Sequence, residues 1–107
     1  MTFLSLDELH QHSQNLLEGE VILDVRSPQE WAMGHIPGSL NIEHTQVGHH
    51  LQELKKYKKI YIYCRMGGRA RTAYETLTQM GLKNIFCLGD CGFEAWLDEG
   101  FPVEKKA

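Results

Sequence analysis

The sequence lacks any run approaching the ~20 consecutive apolar residues that a spanning helix requires, which excludes a helical membrane protein. Cysteine is scarce: Cys64, Cys87 and Cys91 cannot all pair within one chain, and no two of them have Cys-x-x-Cys spacing. A disulfide framework and a zinc knuckle are thereby excluded, and the six histidines are too scattered, with His10/His12 and His49/His50 the nearest groups, to suggest a metal centre. Nor is positive charge in excess. Eleven Lys and Arg stand against fourteen Asp and Glu, a net charge of -3, which argues against nucleic acid as the main partner. The basic stretch Lys55, Lys56, Lys58 and Lys59 has only Tyr57 as an aromatic neighbour and reads as a solvated turn. Met1-Thr2-Phe3-Leu4 has neither the charged flank nor the apolar run of a secretion signal, so free thiols and start together predict a reducing cytoplasm.

What is present suits one soluble domain. The apolar set AVILMFWYC makes up 42% and charged residues 23%, enough to bury a core without staples. With no internal repeat, low-complexity tract or linker, the expectation is a single domain over residues 1–103 and a loose tail over 104–107.

Ser5-Leu6-Asp7-Glu8 has the capping-box pattern and starts a helix that carries Leu6, Leu9, Leu16 and Leu17 toward Gly19. Val21-Ile22-Leu23-Asp24-Val25 is β-branched without alternation, as expected of a strand covered on both faces. Ser27-Pro28-Gln29-Glu30 opens a second helix, which Gly34 stops. Turn chemistry at His35-Ile36-Pro37-Gly38-Ser39 leads to a short extended piece at Leu40-Asn41-Ile42, and Val47, Leu51 and Leu54 then recur at helical spacing. Lys59 to Cys64 reads as a central strand and Gly68 to Met80 as a helix, with Gly81 at its left-handed cap. Asn84 to Leu88 is the last strand, and Phe93, Trp96 and Leu97 mark a closing helix that ends at Gly100 before Pro102. This alternation predicts an α/β fold, a mostly parallel sheet with helices on both faces, whose ligands bind at the carboxyl ends of strands.

Cys64 ends the central strand, and Arg65-Met66-Gly67-Gly68-Arg69 separates it from the following helix. A free thiol with a pKa near 8.5 is mostly protonated at neutral pH, so a nucleophile needs positive potential around it. Three sources are at hand: a glycine turn whose amides can point inward, Arg65 with Arg69, and the helix N-terminus. Cys64 by itself would equally suit a small core residue; two arginines flanking a glycine pair are harder to explain as packing, because a turn needs no cations.

Four separated pieces then resemble the rhodanese family: Asp24-Val25-Arg26, the segment Glu30 to Ser39 with its GHIPGS signature, the loop Cys64 to Arg69, and Gly92 to Trp96 with Gly100-Phe101-Pro102. The resemblance spans nearly the whole chain. It implies a five-stranded, mostly parallel sheet and a cofactor-free, metal-free sulfurtransferase of the thiosulfate type. In that reading Cys64 takes a sulfane sulfur, becomes a persulfide and passes the sulfur on. The partners implied are a small anionic donor and a thiol or cyanide-like acceptor, a protein acceptor among them, with no nucleic acid and no membrane. Arg65 and Arg69 would hold the donor, Gly67 and Gly68 the persulfide, and Met66 the pocket rim. Asp24 and Arg26 are read as a supporting ion pair or loop hydrogen bonds at a strand end, His35 as a turn residue that fixes backbone, and Trp31 and Trp96 as core aromatics.

Where the family often has paired glycines, this chain has Gly89-Asp90-Cys91-Gly92. Cys91 is read as a tolerated replacement, with a resolving cysteine as the alternative if it lies within disulfide reach of Cys64; Cys87 is read as buried and inert. Two other functions remain. A cysteine phosphatase or arsenate reductase resembles this fold when five residues separate Cys from Arg, but here four do, and the shorter loop suits sulfur better than a phosphoryl group. A binding module or persulfide carrier without general turnover is the other.

Overall fold

The computed structural model describes residues 1–106. Four parallel strands, β1 (Glu20–Asp24), β2 (Leu40–Asn41), β3 (Lys59–Tyr63) and β4 (Ile85–Cys87), lie in the order β2-β1-β3-β4. The strand count differs from the five implied by the resemblance. The remaining edge is a single parallel bridge between Phe3 and Cys87, where Cys87 N–H donates to the Thr2 carbonyl at 2.9 Å and Leu4 N–H to the Cys87 carbonyl at 3.0 Å. The capping box at Ser5 starts a helix directly after this contact, so the extended piece has no room to lengthen.

Alternation along the central strands sends side chains to two cores. Val21, Leu23, Ile60 and Ile62 face one way, with Ala70, Ala73 and Leu77 of α4 (Gly68–Gln79) and Leu54 of α3 (Leu51–Leu54), which follows a 3-10 turn over Val47–His50. Ile22, Tyr61 and Tyr63 face the other way, toward Leu9 of α1 (Leu6–Gln14) and Phe93 and Trp96 of α5 (Phe93–Asp98). The interiors of both strands, Val21 to Leu23 and Ile60 to Ile62, therefore have no polar side.

Both capping boxes form as written: Ser5 with Glu8, and Ser27 with Glu30 at the start of α2 (Pro28–Met33). Helix α1 is shorter than its leucines suggest. It ends at Gln14, and Leu16 and Leu17 are exposed, because no core surface lies beneath them. The tail is also not loose as far as it is described. Glu104 and His35 exchange backbone hydrogen bonds at 2.8 and 2.9 Å, and Lys106 N–H donates to the Ala32 carbonyl at 3.1 Å. The unpaired carbonyl of Ala32 in the last turn of α2 and the open backbone of His35 after it supply the partners that the composition of this segment does not reveal. Among the described residues, no helix is long and apolar enough to cross a membrane.

Candidate active site

Cys64 follows β3 directly and continues the face of Ile60 and Ile62, so its side chain points under the start of α4. Its Sγ accepts the backbone N–H of Gly67 at 3.0 Å and of Ala70 at 3.3 Å. Cys64 is only 1% exposed. The loop that follows it closes over the sulfur, with Arg65, Met66 and Gly68 on the outside.

One of the two loop glycines is required by geometry. Gly67 has φ +111°, and a Cβ there would collide with the Gly89 carbonyl, so this position turns the amide toward Sγ only as glycine. Gly68 is the first residue of α4 and would place a Cβ in open space. Outside the loop, Gly92 matters as much: its amide-flanked backbone passes so close to the Cys64 carbonyl and to Arg65 that a side chain has no room. That approach lets Phe93 N–H donate to the Cys64 carbonyl at 2.8 Å and Glu94 N–H to the Arg65 carbonyl at 3.3 Å. The start of α5 thus holds the end of β3 and the beginning of the loop.

Neither loop arginine is free. Arg69 reaches across to α2 and donates from Nη1 and Nη2 to the two carboxylate oxygens of Glu30 at 2.7 and 3.1 Å. The same carboxylate accepts the backbone and hydroxyl of Ser27, each at 3.1 Å. The Arg69 hydrogen bonds, against some burial, hold the Glu30 carboxyl at about 2. Arg65 donates from Nε to Glu94 at 2.8 Å, with both side chains at least half exposed. No local sequence pattern marks Glu30 and Glu94 as partners of the loop arginines. The only available signal was the capping box at Glu30, which accounts for that carboxylate without reference to Arg69.

Asp24 and Arg26 lie at the carboxyl end of β1, next to β3, and both are buried. Arg26 Nε lies 3.0 and 3.1 Å from the Asp24 oxygens and Nη2 lies 2.7 Å from Oδ2, while the Arg26 amide donates to Oδ1 at 2.9 Å. Nη2 also donates to the Gly34 carbonyl at 2.6 Å, and the guanidinium sits 4.3 Å from the Phe93 ring centroid. Burial opposes the Arg26 charge, yet the hydrogen bond and charge of Asp24 outweigh it and raise its pKa. His35 bonds through Nδ1 to the Trp31 carbonyl at 2.7 Å and stacks on the Trp31 ring; Trp31 is half-buried, whereas Trp96 is fully buried.

A cavity of about 560 Å³ opens beside the loop, between α2, α5 and the C-terminal segment. Glu30, Arg65 and Glu94 are in its wall with Arg26, and Phe93, Met33, Leu97 and Val103 supply its apolar surface. Met66 does not border this cavity. It lines a smaller cleft of about 210 Å³ on the outer side of the Arg65–Glu94 pair, together with Cys91.

The sequence pattern of the rhodanese-like domain matches residues 5–99. The chain belongs to the rhodanese-like domain family. It is 34% identical over 93 residues to a sulfurtransferase of Allochromatium vinosum, covering 85% of this chain and 86% of that one. To a thiosulfate sulfurtransferase of Pseudoalteromonas translucida it is 33% identical over 79 residues, 74% of either chain. Among solved structures, a Rhodopseudomonas palustris protein of unknown function, described as a possible tyrosine phosphatase, superposes with a TM-score of 0.88 at 28% identity, covering 97% of this chain and 85% of that one.

In this rhodanese-like domain, Cys91 stands between Asp90 and Gly92 just before α5. This residue packs with the Tyr63, Phe93 and Trp96 core, while Cys64 belongs to the core on the opposite face of the sheet. Burial, and then the charge of Asp90, raise the Cys91 thiol pKa. Cys87 is buried in β4, and desolvation pushes its thiol up to about 12.

Proposed function

We propose that this rhodanese-like domain is a sulfurtransferase in which Cys64 takes the sulfane sulfur of a donor such as thiosulfate or a persulfide and hands it to a thiophilic acceptor. A thiol, cyanide or the thiol of a protein would serve as acceptor. The observation that carries the reading is the pair of amides, Gly67 and Ala70, aimed at Sγ at the end of a central strand. Fixed N–H dipoles in a water-poor site favour negative charge on the atom they face, and the cycle places it on Sγ before the donor is attacked and again when the acceptor has taken the sulfur.

The steps balance without an external oxidant. The Cys64 thiolate attacks the outer sulfur of thiosulfate; a sulfur–sulfur bond forms to Sγ, the donor's own sulfur–sulfur bond breaks, and its electron pair leaves on sulfite. Cyanide or an acceptor thiolate then attacks the terminal sulfur, and the electron pair of the broken bond returns to Sγ. Cys64 is buried, so both steps require the exposed side chains of Arg65 and Met66 to give the reactants access to the sulfur while the Gly67 amide stays on it. Asp24 and Arg26 support the strand ends on which this loop is hung, and Met66 serves at most the outer cleft. Thiol chemistry of this kind needs Cys64 reduced, which fits the cytoplasm.

A phosphatase fits less well. Only four residues separate Cys64 from Arg69, and Arg69, the group that would clamp a phosphoryl oxygen, is held bidentately by Glu30. The deciding experiment is intact mass after incubation with thiosulfate or with an organic persulfide, followed by peptide mapping. We expect one added sulfur on Cys64, released as thiocyanate by cyanide, and none in Cys64→Ser. No added sulfur from either donor, or sulfur mapped to Cys91, would overturn the reading and favour a binding module.

A further inference from the structure

We propose that the donor suited to this site is an organic sulfane-sulfur compound, a persulfide or thiosulfonate with an apolar body and one negative charge, and that Glu30 and Glu94 impose this preference by occupying the loop arginines. The inference rests on Cys64 being the sulfur acceptor.

Arg69 is the less available cation. Both of its terminal nitrogens are bonded to Glu30, and Ser27 fixes that carboxylate from the other side, so a donor would have to displace a two-point, half-buried pair. Glu30 stays ionised over the whole neutral range because its carboxyl is held at about 2. Arg65 differs. It makes one contact to Glu94, and the side chains are 62% and 50% exposed, a solvent-screened pair of the kind that contributes little. A single incoming anion can compete for it. Arg26 also borders the cavity, but Asp24 and the Gly34 carbonyl hold it in place.

The charge balance agrees. Counting the cavity wall and its salt-bridge partners, four cations (Arg26, Arg65, Arg69 and Lys105) meet three carboxylates (Asp24, Glu30 and Glu94), which leaves one positive charge. The Cys64 thiolate of the attacking state takes up that charge, so a dianion meets less compensation there than a monoanion.

Size and polarity point the same way. At about 560 Å³ the cavity is far larger than a five-atom inorganic anion, given that a water molecule takes up ~30 Å³. Phe93, Met33, Leu97 and Val103 offer contact to carbon rather than hydrogen bonds to oxygen. A hydrated dianion would lose solvation against such walls, whereas the body of an organic donor would gain by burial.

Benzenethiosulfonate and thiosulfate form a matched pair for the test. Each carries its sulfane sulfur on an oxidised sulfur, but one has an aryl group and a single charge. With benzenethiosulfonate the Cys64 thiolate bonds to the outer sulfur, the donor's sulfur–sulfur bond breaks, and the pair leaves on benzenesulfinate. Cyanide then takes the sulfur as thiocyanate and restores the thiolate. We would measure kcat/KM for thiocyanate formation with each donor, divided by that donor's rate with a free low-molecular thiol. The parent should favour benzenethiosulfonate by about tenfold or more, equal to ~1.4 kcal/mol. Glu30→Gln and Glu94→Gln should each shift the ratio toward thiosulfate by about threefold or more, the size expected when an anion no longer competes for a cation. Leu97→Asp should shift it the same way by weakening use of the aryl donor. Glu94 is exposed, so its variant carries the test if Glu30→Gln fails to fold by circular dichroism. A parent ratio near one, or ratios unmoved in the folded Gln variants, would overturn the inference while Cys64-dependent turnover stands. Thiocyanate formed equally by Cys64→Ser would instead overturn the sulfurtransferase reading itself.

Discussion

Arg69 and Glu30 are thirty-nine residues apart in sequence and meet through two hydrogen bonds of 2.7 and 3.1 Å, which tie the loop over Cys64 to helix α2. The same Glu30 closes the capping box of that helix with Ser27. One carboxylate therefore starts a helix, neutralises a loop cation and borders the cavity beside the loop.

This pair makes stability depend on acid. The folded chain holds the Glu30 carboxyl at about 2, below the ordinary 4.5, so its contribution is fully present above pH 4.5 and disappears as pH falls toward 2. Both side chains are about one-third exposed, and solvent screening limits the effect to about 1 kcal/mol or less. Urea unfolding of the parent and Glu30→Gln should differ at pH 6 and converge near pH 2. A gap that persists unchanged at pH 2 would remove the ion pair as its source.

The buried pair at the end of β1 should matter more. Asp24→Ala leaves the Arg26 guanidinium without its main partner in a site that water barely reaches, and breaking such a pair costs about 3–5 kcal/mol. Denaturant midpoints should fall sharply for Asp24→Ala and less for the double change Asp24→Ala with Arg26→Leu. Equal loss in both would show that packing, not the orphaned charge, sets the cost.

Glycines near the loop divide by location. Gly92→Ala puts a methyl group within 2.5 Å of the Arg65 carbonyl, where only backbone can give way, and should cost about 1–3 kcal/mol and disorder the start of α5. Gly68→Ala meets nothing within 4 Å and lies on α4, so it should stabilise by about 0.5–1 kcal/mol. Thermal melts of the two variants should move in opposite directions.

The two other cysteines should stay out of the chemistry. With its thiol pushed up to about 12, Cys87 should remain unalkylated by iodoacetamide at pH 8 unless the chain is unfolded, and Cys91 should react slowly. Mild oxidation should give no intramolecular Cys64–Cys91 crosslink, since the two side chains belong to cores on opposite faces of the sheet. Non-reducing peptide mapping checks both points, and a crosslinked peptide would restore the resolving role.

Local signals were legible where one stretch of chain contains all the partners. Ser5 with Glu8 and Ser27 with Glu30 are complete within four residues each, and both helices begin there. The unbroken apolar runs before Asp24 and Cys64 became two central strands because covering by helices on both faces leaves no polar side to encode. Leu16 and Leu17 misled for the opposite reason: helical spacing records a candidate face, while burial needs a surface to receive it.

The α/β architecture, the family and the place of Cys64 at a strand end before a glycine turn are written in local patterns, because spacing, caps and turns act over a few residues. Packing in three dimensions is what closes the sulfur beneath its loop, brings Glu30 and Glu94 to the two loop arginines and straps the tail to His35 through Glu104. Charge pairs and close approaches of this kind join residues tens of positions apart, and their distances are set by how helices pack on the sheet, which no local pattern contains.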